Sequence, residues 1–146
     1  MDREMTDRAS KRMLQIMEFY HEQLFKEERM ALIDINDAEF RLLFRLSTAP
    51  MLSMSTLGDL LLVSKSHVTK LVDALNNAGL VERHANLQDR RVINISITEK
   101  GQKKLEFLKN RIQEQIKMLI SNLQPSELEK ICTSTEIFLG IVSKIR

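Results

Sequence analysis

Apolar residues recur along this chain with two different periods. From about Thr6 to Glu28, Met13, Ile16, Met17, Tyr20 and Leu24 follow helical spacing, with Phe25 adjacent and charges elsewhere, which predicts a long amphipathic helix. Ile33 to Asn36 interrupts it. Asn36 with Glu39 three positions on has the form of a capping box, in which the Asn side chain accepts an N-terminal N–H. A second helix is expected from Asp37 to about Ser47, burying Phe40, Leu43, Phe44 and Leu46. Ala49 and Pro50 end it, because Pro disfavours helical geometry in the residue before it. After Met51 to Met54, placed in a loop, Ser55 or Thr56 can cap a short helix, Leu57 to Leu62. Gly58 inside that helix costs about 1 kcal/mol relative to Ala, and close approach of the following helix is the expected compensation.

The next stretch holds both periods. Val68, Leu71, Val72 and Leu75 share one helical face, while Lys65, Ser66, His67, Thr69, Lys70 and Asp73 occupy the other. Asn76, Asn77 and Gly79 stop this helix, Gly accepting the left-handed conformation without Cβ strain. A strand, Leu80 to Arg83, leads to a loop with Asn86, Gln88, Asp89, Arg90 and Arg91. In Val92 to Ile97, Ile93, Ile95 and Ile97 then share a face at period two. Two helices joined by a short turn, then strand, basic loop and strand, predict a winged helix-turn-helix. Thr98 is placed to cap a very long helix in which Leu105, Leu108, Ile112, Ile116, Leu119 and Leu123 step by three or four. Pro125 restarts the chain, Ser126 and Glu129 read as another capping box, and Leu128, Ile131, Thr135, Phe138, Leu139, Val142 and Ile145 continue helically. The fold class is mainly α with a small β-hairpin wing.

Composition bounds the function. With 146 residues, 43% of them apolar, the chain builds one compact domain or a small domain with an oligomerisation appendage. The net charge of +2 is unevenly spread: Ser64 to Lys104 holds eight basic and four acidic side chains, a local +4 that leaves −2 for the remainder. A lone cysteine, Cys132, excludes an intrachain disulfide and suits a reducing compartment. No apolar run approaches the roughly 18 residues needed to span a bilayer, and the charged N-terminus lacks a signal-peptide core. A soluble, cytoplasmic protein with no membrane partner is expected. His21, His67 and His84 are scattered, with no metal-ligand spacing, and neither a phosphate-cradling Gly loop nor a nucleophile with its base is evident. No metal, cofactor or enzyme activity is expected.

The segments VSKSHVTKLVDALNNAGLVER and DRRVINISITEKG, with their Asp-x-Arg wing, strand and Thr-x-x-Gly, resemble the multiple antibiotic resistance regulator family, MarR. The likeness covers nearly the whole chain. It implies a homodimer in which the first and last two helices of each chain interlock, so that 1–36 and 98–146 form a helical dimerisation region and 37–97 the winged helix-turn-helix DNA-binding region. A twofold dimer reading double-stranded DNA implies an inverted-repeat operator with half-sites about 10 bp apart, or a multiple of a turn. Leu62 departs from many helix-turn-helix proteins, which place Gly there, and carries strain if its φ is positive.

Lys65, Ser66, His67, Thr69 and Lys70, in the first two turns of the recognition helix, are the candidates to reach base edges and phosphates. The plainer reading is a solvated helix face. Lys65 and Lys70 suit phosphate. His67 could read a base, stay solvated, or tune affinity below about pH 6.5. By resemblance, Arg91 enters the minor groove, whose negative potential attracts Arg, and Asp89 orients it; Arg90 is a phosphate candidate. The plainer alternative is a mobile charged hairpin. The resemblance also implies a small amphipathic or aromatic effector, for which Met17, Tyr20, Phe25, Phe40 and Phe44 are candidates, although such residues are more often core. Cys132 could be a redox switch, as the resemblance allows, but it sits on the last helix, whereas the family's sensing cysteine lies near the first, so it reads as a small hydrophobe. The resulting expectation is a transcription regulator, a repressor released by an effector; the alternative is a winged-helix protein-interaction module without DNA binding.

Overall fold

Helices dominate the chain, as its four Gly and two Pro predict. The computed structural model describes residues 3–24, 37–86, 89 and 91–145. In order, the elements are α1 (Arg3–Leu24), α2 (Asp37–Ser47), β1 (Leu52–Ser53), α3 (Met54–Leu61), α4 (Lys65–Asn77), β2 (Val81–Ala85), β3 (Ile93–Ile97), α5 (Glu99–Leu119) and α6 (Pro125–Val142). The expected extension of the first helix to Glu28, the break at Ile33 to Asn36 and the Asn36 cap lie outside the described residues.

The chain forms two compact units, Met1–Ile112 and Gln113–Arg146. The core of the first brings together Leu42, Leu43 and Leu46 of α2, Leu57 and Leu61 of α3, Val68, Leu71, Val72 and Leu75 of α4, Leu80, Val81 and Ile95 near the sheet, and Leu105 and Leu108 of α5. Leu105 and Leu108, expected within a seam reserved for a partner, are instead buried in the chain's own core, with Ile112 packed at its edge. Phe44 is exposed and Phe40 only half-buried, while Leu42 takes the core position, so the face of α2 is rotated from the expected one.

The wing is part of a three-stranded antiparallel sheet ordered β1-β3-β2, one strand more than the hairpin expected. β1 pairs Leu52 with Ile95 and Ser53 with Asn94. Two residues are too short to show a period of two, which is why this strand reads as loop. β2 pairs Val81 with Ile97, Arg83 with Ile95 and Ala85 with Ile93. Ile95 is fully buried and Ile97 half-buried, yet Ile93 is 42% exposed, because the hairpin carries it past the helices that cover Ile95.

The start of α3 is set by Ser53, not Ser55 or Thr56: Ser53 Oγ accepts from Thr56 N at 3.1 Å. Gly58 is not explained by close approach, since an added Cβ would meet Val68 Cγ2 at 3.5 Å and the Val63 carbonyl oxygen at 3.6 Å, ordinary contact. Gly101 is the position that requires Gly. A Cβ there would be driven into the carbonyl oxygen of Leu80. Leu62 adopts φ 55° and ψ 41°, the left-handed region, with its side chain 91% exposed. The expected strain is present, and among the described residues nothing packs on the side chain to offset it.

In the second unit, α6 starts with Pro125 in its first turn, and Gln124 N donates to Glu127 Oε2 at 2.8 Å. This pair, rather than Ser126 and Glu129, marks the helix start. α6 buries none of its residues: Ile131, Ile137, Leu139 and Ile141 are exposed, as is Cys132.

Candidate nucleic-acid interface

The hydrophobic side of α4 orients its polar side. Burial of Val68, Leu71, Val72 and Leu75 turns Lys65, Ser66, His67, Thr69, Lys70 and Asp73 to solvent. Ser64 caps the helix, its Oγ accepting from His67 N at 3.3 Å and lying 3.1 Å from Ser66 Oγ. Thr69 Oγ1 donates to the Lys65 carbonyl at 3.0 Å and its side chain stays exposed. Among the described residues, the side chains of Lys65, His67, Lys70 and Arg91 make no ion pair.

At its far end α4 closes in a Schellman motif. Gly79 takes φ 70°, Gly79 N donates to Asn76 O at 2.9 Å, and Leu80 N to Leu75 O at 2.9 Å. The accompanying apolar contact is supplied by Leu75 and Leu80, both in the core. The stop expected from Asn76, Asn77 and Gly79 is therefore a specific device that also launches β2.

The wing tip is built by two side chains. Asp89 N donates to Asn86 Oδ1 at 3.3 Å, and Arg91 N donates to Asp89 Oδ1 at 2.9 Å. Backbone bonds from Asn86 N to Val92 O (3.1 Å) and from Val92 N to Asp89 O (3.0 Å) close the loop. The Asp89 carboxylate thus holds the backbone of Arg91 rather than its guanidinium, leaving that exposed side chain to reach outward. Arg90 lies outside the described residues, as does Gln88.

Not every cation of the basic stretch faces outward. Arg83 bonds Asp73 of α4, and Lys100 Nζ donates to the Ala78 carbonyl at 2.7 Å. The signal for Arg83 lay in strand parity: it shares a sheet face with Val81, whose side chain is buried. For Lys100 no local pattern pointed to the bond, which spans 22 positions in sequence. On the opposite sheet face, His84 Nε2 lies 2.7 Å from Ser96 Oγ.

The effector candidates are only partly brought together. Phe40 and Phe44 stack with centroids 6.4 Å apart and line a depression of about 120 Å³ with Arg41, Arg45, Leu60 and Leu61. Lys109 Nζ sits 5.2 Å from the Phe44 ring centroid. Met17 and Tyr20 lie exposed on α1, and Phe25 falls outside the described residues. A larger, open depression of about 330 Å³ is lined by Leu46 to Pro50, Ile97 and Gln102, none of them among the candidates.

Helix-turn-helix, wing and long flanking helices define a winged-helix DNA-binding protein. Residues 35–93 match the MarR family. The chain is 33% identical over 104 residues to an uncharacterized HTH-type transcriptional regulator, YpoP, of Bacillus subtilis, covering 68% of this chain and 74% of that protein. In fold it is similar to the transcriptional regulator Tm0710 of Thermotoga maritima (26% identity, TM-score 0.72, 94% of this chain and 96% of the other). It is likewise similar to the YusO protein of Bacillus subtilis (25% identity, TM-score 0.70, 95% and 96%). The chain belongs to the MarR family of transcription regulators. Among the described residues, no helix is long and apolar enough to cross a membrane.

Proposed function

We propose that this chain is a cytoplasmic, homodimeric, sequence-specific regulator, a repressor that occludes a promoter and is released by a small amphipathic or aromatic effector. The observation that carries the DNA contact is the outward set Lys65, Ser66, His67, Thr69 and Lys70 on a helix whose other face is buried. Lys65 and Lys70 take phosphates, while His67 and Thr69 face base edges in the major groove. Arg91 enters the minor groove, Asp89 shapes the turn that carries it, and Arg90 adds a phosphate contact. The role is binding, not catalysis.

Self-association is supported by exposed apolar faces. On α1, Met13, Leu14, Ile16, Met17, Phe19 and Tyr20 are 42–62% exposed, far more apolar surface than scattered residues explain. α6 adds Ile131, Ile137, Leu139 and Ile141. In this reading 1–36 and 98–146 supply the dimerisation region and 37–97 the DNA-binding region, and the effector acts by preferring one separation of the two recognition helices.

Selection of bound fragments from the native genome, followed by mobility shifts across a salt series, tests the proposal. Enrichment of an inverted repeat, bound with affinity that falls steeply as salt rises, is expected. Recovery of no inverted repeat, or a salt-independent association, overturns it in favour of a protein-interaction module.

A further inference from the structure

The three carbonyls that follow the last helical residue of α4, Asn77, are all taken by the first residues leading into α5. Lys100 Nζ donates to Ala78 O at 2.7 Å, Thr98 Oγ1 donates to Gly79 O at 2.8 Å, and Thr98 N donates to Leu80 O at 3.1 Å. The Ala78 carbonyl, at the C-cap of α4, has no intrahelical donor and carries the partial negative charge of a helix C-terminus, so an ammonium there is doubly suited. Thr98 Oγ1 in turn accepts from Gly101 N at 3.0 Å, capping α5. Gly101, lacking a Cβ, is what allows the first turn of α5 to lie against the Leu80 carbonyl. One side chain therefore serves the end of one helix and the start of the next, and Lys100 closes the joint from outside.

From this joint we infer that Lys100 is a positioning residue that sets the pose of the recognition helix on the long helix, and not one of the cations that bind phosphate. The inference rests on the DNA-binding reading above. It separates Lys100 from Lys65 and Lys70, which belong to the same basic stretch but project from the exposed face of α4. Its ammonium is committed to a backbone carbonyl, so removing it loosens the seat of α4 without removing a charge from the DNA contact. Because the same few residues join α4 to α5, any movement of the first turn of α5 is passed to the reading helix with little slack.

Three measurements on the full chain test this: the slope of binding against salt on random-sequence duplex DNA, affinity for the genomically selected inverted repeat, and amide hydrogen exchange across residues 76–81. Lys100→Met should leave the slope at the parent value, weaken operator binding about threefold, less than the whole worth of an exposed hydrogen bond because only part of the loosened seat reaches the DNA contact, and speed exchange at the end of α4. Lys100→Arg should restore affinity and protection. Lys70→Ala is the contrast, lowering the slope by about 0.9, the loss of one phosphate contact. A slope lowered by that amount in Lys100→Met, or unchanged affinity and exchange, overturns the inference. If the parent binds neither duplex, the DNA-binding reading fails on its own, and the exchange comparison alone upholds or overturns the joint.

Discussion

Arg83 Nη2 lies 2.5 Å from Asp73 Oδ1, tying the wing strand β2 to the middle of the recognition helix. Asp73 is the one acid on α4, and left alone it would repel the phosphates that Lys65 and Lys70 are placed to meet. Both side chains are substantially exposed, so the pair contributes at most about 1 kcal/mol to stability. Arg83→Ala and Asp73→Ala should each cost less than about 1 kcal/mol, with a positive coupling of a few tenths in a double-mutant cycle. Urea unfolding checks this; strictly additive single effects would show that the contact does not operate in solution.

Two glycines should behave oppositely. Gly101→Ala forces a methyl into the Leu80 carbonyl and should destabilise by about 3 kcal/mol. Gly58→Ala has room and should stabilise by up to about 1 kcal/mol through helix propensity alone. Thermal unfolding of the two variants side by side is decisive, and a tolerated Gly101→Ala would mean that α5 does not approach Leu80 as closely as described.

Leu62 offers a gain. Its left-handed backbone costs roughly 1–2 kcal/mol for a residue with a Cβ, and its side chain makes no compensating contact with the core. Leu62→Asn, which tolerates that conformation, should raise the urea midpoint by about 1 kcal/mol equivalent at constant slope. A lowered midpoint would mean that the exposed leucine is held by something other than the chain's own fold.

The wing tip separates two roles for Asp89. Its Oδ1 accepts the Arg91 backbone N–H, a bond that an Asn Oδ1 can also make. Asp89→Asn should therefore retain operator affinity, Asp89→Ala should weaken it, and Arg91→Ala should weaken it by about tenfold or more. Equal losses for Asn and Ala in competition binding assays would instead require the carboxylate charge, as an acid orienting the guanidinium does.

Much of this architecture was legible because periodic burial leaves a periodic trace. The period of 3.6 around Val68 to Leu75 and the period of two around Ile93 to Ile97 placed α4 and β3, and Gly79 marked the turn between α4 and β2. Thr98 was visible as a cap because capping is local chemistry, although at α3 the capping position fell to Ser53 and at α6 to Gln124, and Ser64 was passed over at α4. Leu62 stood out as a side chain where many helix-turn-helix proteins place Gly, and its φ is positive.

By itself, then, the sequence determined the element types other than β1, the winged helix-turn-helix, the outward face of the recognition helix and the basic loop, all of which follow from residues a few positions apart. Only the tertiary structure decided where separated segments meet: β1 against Ile95, Leu105 and Leu108 in the winged core, Arg83 on Asp73, and Lys100 on the Ala78 carbonyl. Those contacts depend on how the chain closes on itself, and a side chain such as Lys100 carries no local mark of whether its charge will meet solvent, a phosphate or the end of its own neighbouring helix.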